Sequence, residues 1–126
     1  MKTKVPEVPA GFARQHPTVW QSFENLANQC HQAGPLDAKT QRLVKLGIAA
    51  GAGLEGGVHA QVRNALAEGI TPDELRHVIV LGLTTIGFPA SMAALTWVDD
   101  YAGKKTKRTS SGAGRHKRMR IPAPTA

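Results

Sequence analysis

The 126-residue chain has one cysteine, Cys30, and that scarcity excludes a good deal of chemistry. A single thiol makes no internal disulfide, no two-cysteine redox pair and no thiolate zinc cage. Long apolar runs are missing too. Nothing approaches the roughly 18–20 residues of a membrane span, and the start, Met1-Lys-Thr-Lys-Val-Pro, lacks the apolar stretch of a secretory signal. The expectation is a cytoplasmic protein with no membrane partner. Apolar–polar alternation long enough for a half-buried strand is also absent. What remains, 41% hydrophobic and 20% charged residues, is the composition of one soluble globular domain.

The formal net charge is +7, and its placement matters more than its size. Positions 104–126 carry eight basic residues, Lys104, Lys105, Lys107, Arg108, Arg115, Lys117, Arg118 and Arg120, and no acid. The other eight of the 16 basic residues face nine acids across 1–103, a net of −1. The basicity is a tail on a neutral body.

Residues 1–16, with Pro6, Pro9 and Gly11, predict an extended lead-in. A helix is expected from Pro17, because Val19, Trp20, Phe23, Leu26, Ala27 and Cys30 recur at three- and four-residue spacing until Gly34-Pro35. Cys30 lies on that stripe and reads as a small buried hydrophobe rather than a reactive thiol. Asp37 caps a second helix over about 38–51, apolar through Leu43, Val44, Leu46, Ile48, Ala49 and Ala50. A third, about 56–68, carries Val58, Val62, Ala65 and Leu66 and stops at Gly69. Thr71-Pro72-Asp73-Glu74 has the pattern of a capping box, and it settles the β-branched stretch Val78–Ile86 as helix, burying Leu75, Val78, Ile79 and Leu83. Gly87-Phe88-Pro89 opens a last helix through Met92, Leu95, Trp97 and Val98 to Tyr101. The fold class is all-α, a single-domain helical bundle over 17–103. Helices this apolar in a chain this short point to surface hidden by self-association.

Gly56 and Gly57 stand out, since each costs about 1 kcal/mol against alanine inside a helix. Close helix packing or a later helix start would explain them. So would room for a ligand, or backbone N–H groups facing an anion.

The stretch from Leu36 to Ala50, then Leu54-Glu-Gly-Gly-Val-His-Ala-Gln-Val-Arg-Asn-Ala-Leu-Ala-Glu-Gly-Ile-Thr-Pro-Asp-Glu-Leu, then Gly87-Phe-Pro-Ala, resembles the carboxymuconolactone decarboxylase family. That family includes the alkylhydroperoxidase D-like proteins. The resemblance covers about residues 17–102 and implies an all-α domain assembled as a homotrimer or homohexamer. In the peroxidase branch a Cys-x-x-Cys-x-x-x-His motif and an upstream glutamate do the chemistry: a thiolate, a resolving thiol and two groups that move the proton. Aligned on Val62-Arg-Asn-Ala-Leu-Ala-Glu-Gly, these positions hold Leu54, Gly57, Gln61 and Arg42 here. Leucine and glycine cannot attack a peroxide, so loss of thiol peroxidase activity is expected.

The decarboxylase branch does not depend on those cysteines. Losing carbon dioxide from a carboxylated lactone needs a proton donor and a site for the carboxylate. His59 is the candidate donor and Glu55, one turn earlier, its orienting partner. Arg63, one turn later, Arg42 and Gln61 are the candidate substrate contacts. The competing account of Glu55, His59 and Arg63 is a hydrogen-bonded helix surface or subunit contact. His77, Thr84 and Thr85 could border the same pocket, while His16 and His31 have no supporting context. No metal and no cofactor are expected. The partners are copies of the chain and a small carboxylate or lactone, or, if the domain is a non-catalytic scaffold, a binding partner. The tail over 104–126 reads as a disordered, solubilising extension. It could also contact polyanions through counterion release, but it has no interleaved aromatics for base stacking.

Overall fold

The computed structural model describes residues 7–103. They form six α-helices: α1 (Glu7–Gln15), α2 (Pro17–Gln32), α3 (Ala38–Gly51), α4 (Glu55–Ala67), α5 (Pro72–Leu81) and α6 (Phe88–Ala102). A 3-10 turn covers Gly82–Thr84, and no strand occurs among these residues. The expected all-α class holds. The basic segment 104–126 lies outside the described residues.

Local chemistry sets the helix starts. The Thr40 N–H donates to Asp37 Oδ1 at 2.9 Å and fixes the first turn of α3. At α5 the Glu74 N–H donates to Thr71 Oγ1 (3.1 Å) while the Thr71 N–H donates to Glu74 Oε1 (2.9 Å), a complete capping box behind Pro72. Gly69, at φ +88°, turns the chain out of α4 in a left-handed conformation that other residues rarely adopt.

The core lies among α3, α4, α5 and α6. Leu46, Val58, Val62, Leu75 and Val98 are fully buried, each worth about 1.5–3 kcal/mol relative to exposure. Val58, Val62 and Ala65 recur at i, i+4 and i+7, so α4 buries one stripe. Two ion pairs tie neighbouring helices: Lys39 on α3 with Glu74 on α5, and Arg76 on α5 with Asp99 on α6, Nε to Oδ1 at 2.8 Å.

Three expectations change. Residues 7–15 are helical, not extended. Pro9 stands in the first turn, where its missing N–H leaves no bond unmade. An aromatic ladder also runs across the break at His16: Phe12 to His16 at 5.0 Å, Phe12 to Trp20 at 6.5 Å, Trp20 to Phe23 at 5.7 Å between ring centroids. Cys30 is exposed, because α2 buries none of its residues within this chain. Its stripe exists, but Val19, Phe23 (56% exposed) and Leu26 (58%) face outward. Leu83, expected in the core, is partly exposed because the chain tightens into the 3-10 turn after Leu81. No helix among the described residues is long and apolar enough to cross a membrane.

Candidate functional site

Helix α4 carries candidate residues on two sides. Glu55, His59 and Arg63 follow one another at four-residue spacing on the side toward the end of α6. There His59 Nε2 lies 2.8 Å from Asp100 Oδ2. The Tyr101 and His59 rings meet in a T-shaped arrangement, 5.0 Å between centroids and 74° between planes, and the Arg63 guanidinium sits 5.6 Å above the Tyr101 centroid. His59 is mostly enclosed, its side chain 19% exposed, whereas Asp100 is half open to solvent.

Gln61 follows His59 by two residues and therefore points about 200° around the helix. It faces α3, where Arg42 Nη1 donates to Gln61 Oε1 at 2.7 Å. The same guanidinium is held by Glu68, Nε to Oε1 at 3.0 Å and Nη2 to Oε2 at 2.7 Å. Arg42 thus meets Gln61 and not His59, and its planar fork is already matched to a carboxylate of its own chain. Of the three expected substrate contacts, only Arg63 shares the side of α4 that carries His59, while Arg42 and Gln61 are bonded to each other on the side toward α3.

Asp100 is the residue that sequence reasoning missed. Its signal was present: Asp99 and Asp100 stand in the last turn of α6, where the helix dipole disfavours negative charge. Acids there call for cationic or donor partners, and they find Arg76 and His59. His77 is exposed. Thr85 donates to the Leu81 carbonyl (3.3 Å) and lines a different cavity, of about 290 Å³, between α3 and α5.

The two glycines separate in role. A side chain at Gly57 would bring Cβ within 3.2 Å of Leu54 Cβ and 3.3 Å of Ala49 Cβ, so α3 and α4 approach closely at this point. A Cβ at Gly56 would meet nothing within 4 Å.

Glu55, His59 and Asp100 are also a set of donors with one atom each within 4.8 Å of one another. The 2.8 Å contact between His59 Nε2 and Asp100 Oδ2 has the length of a hydrogen bond. A carboxylate only accepts, which places a proton on Nε2. Among the described residues nothing is bonded to Nδ1. The arrangement can therefore hold an imidazole in one orientation and pass a proton at Nδ1, with a guanidinium four residues away.

Comparison with known proteins agrees in extent. A protein of Methanocaldococcus jannaschii, itself described as uncharacterized, is 32% identical over 82 residues, covering 64% of this chain and 79% of its own. The sequence profile of the carboxymuconolactone decarboxylase family matches residues 17–100, the span holding α2 to α6 with the Glu55–His59–Asp100 cluster, and the chain belongs to that family.

Proposed function

We propose that the protein acts on a small carboxylated or lactone substrate by acid–base chemistry at the face where α4 meets α6. His59 delivers or removes the proton. Asp100 holds the ring and offsets the charge formed on it, Glu55 adds a second carboxylate, and Arg63 supplies positive charge for the substrate's carboxylate. The observation that supports this reading most is the 2.8 Å His59–Asp100 contact, a geometry that a solvated helix surface does not require. Thiol peroxidase activity is taken to be lost, since Leu54, Gly57, Gln61 and Arg42 stand at the motif positions.

The same reading makes the active form a homo-oligomer, a trimer or hexamer. Its support is the exposed apolar surface: Val19, Phe23 and Leu26 on α2, with Ile48 (66% exposed), Leu81 and Phe88 (64%) elsewhere. Sedimentation should give a multiple of the 13.4 kDa chain mass, and a monomer would remove this part. For the activity, a carboxymuconolactone is offered to wild type and His59→Ala. Turnover lost in the variant supports the proposal; an inert wild type would assign the domain to binding or scaffolding.

A further inference from the structure

A second cavity, of about 450 Å³, opens between the end of α2, the linker 33–37 and the first turns of α3. Its volume falls within the roughly 300–1,000 Å³ of small-molecule sites. Leu36, Val44 and Cys30 give it apolar walls, and His31, Gln41 and Lys45 are its polar members. None of these residues belongs to the Glu55–His59–Asp100 cluster.

Two features set it apart from an unpartnered apolar groove. First, the rim is tied in place: Gln41 Nε2 donates to the His31 carbonyl at 2.9 Å and to the Leu36 carbonyl at 2.7 Å, so one amide spends one proton on the end of α2 and the other on the linker. Second, Lys45 Nζ lies 3.1 Å from His31 Nε2. The ammonium is a donor only, so the imidazole accepts and is neutral in this contact. Among the described residues no carboxylate pairs with Lys45, unlike Lys39, Arg42 and Arg76. The cavity therefore contains one cation with two ammonium protons left over, against apolar walls.

We infer that this cavity binds a small apolar monocarboxylate, an aromatic or short aliphatic acid, with its carboxylate on Lys45 and its hydrocarbon against Leu36 and Val44. One charge balances one charge. A phosphate dianion would bring more acceptors than the cavity has donors. This site is separate from the chemistry at His59 and stands or falls independently of it.

Cys30 supplies the readout, because it lines the cavity and is the only thiol of the chain. The full-length protein is treated with a chromogenic disulfide reagent, with and without benzoate, and benzyl alcohol serves as the uncharged comparison. Benzoate should slow Cys30 modification saturably, and benzyl alcohol should need about ten-fold higher concentration or more, the worth of one charge-assisted hydrogen bond. Lys45→Arg should keep the preference for the acid, Lys45→Met should abolish it, and Val44→Trp, filling the cavity, should abolish protection by either compound. Equal protection by the two compounds in wild type, or full benzoate protection in Lys45→Met, would overturn the inference. So would a Cys30 that reacts only after dilution dissociates an assembly, which would mean that a second copy fills the cavity.

Discussion

The guanidinium of Arg42 is held by the Glu68 carboxylate, with paired contacts of 3.0 and 2.7 Å across 26 residues of chain. Its remaining nitrogen reaches Gln61 at 2.7 Å. The positions where peroxidase relatives are expected to carry glutamate and histidine are thus still in contact, yet the pair they form here clamps α3 to α4 and cannot relay a proton. Arg42→Met should lower stability by about 1–2 kcal/mol in denaturant melts, with the half-exposed Glu68 keeping the figure modest. Lactone turnover should be affected far less than by changes at His59. An Arg42→Met variant as stable as wild type would mean that the clamp contributes nothing.

His59→Ala should reduce lactone turnover by about 10²–10⁴-fold, the usual contribution of a positioned acid or base. Asp100→Asn keeps the size of the side chain but removes its charge. It should lower kcat with little change in KM, as expected of a residue that acts through His59 rather than on substrate. Equal loss in KM alone would instead place Asp100 in substrate binding.

Two carboxyls give the acid limb of stability a definite sign. Hydrogen bonds from the Thr40 side chain and N–H hold Asp37 below its ordinary 3.8, and bonds from Lys39 and the Thr71 N–H hold Glu74 below 4.5. Below those ordinary values the unfolded chain takes up protons that the folded chain does not. Their contribution is therefore complete above about pH 5 and is lost as pH falls through the folded-state values. Glu74→Gln should flatten the loss of Tm between pH 5 and pH 3. Asp37→Asn, which keeps a good cap without the charge, should do the same without shortening α3.

Neighbouring glycines should respond differently to alanine. Gly56→Ala meets open space and should stabilise by up to about 1 kcal/mol through helix propensity. At Gly57 the new Cβ presses on Leu54 and Ala49, so the same substitution should gain little or cost stability. Thermal melts of the two variants decide it, and equal shifts would contradict the close approach of α3 and α4.

Much of the fold was legible because its determinants are local. The Thr71–Glu74 box spans three residues, and the Val58–Val62–Ala65 stripe needs only its own helix to be seen. The Val19–Phe23–Leu26 stripe was equally visible, but periodicity states that a face is apolar and not what covers it. α1 escaped notice because its support is a set of ring contacts across a helix break, while its prolines and glycine read as punctuation. At the site, Glu55, His59 and Arg63 were readable from spacing within one helix. Asp100 was not, because it reaches His59 from 41 residues away. The position of Arg42 depended on which side of α4 faces α3, a packing question that helical spacing leaves open.

Asp99 and Asp100 are adjacent in the chain, yet they bond to different helices: Asp99 to Arg76 on α5 and Asp100 to His59 on α4. Successive side chains on a helix diverge by about 100°, so the two bonds pull on α6 from separate directions and oppose any roll about its axis. The orientation of the His59 imidazole is consequently set in part on another side of α6, by an arginine whose bond is to Asp99 and not to Asp100.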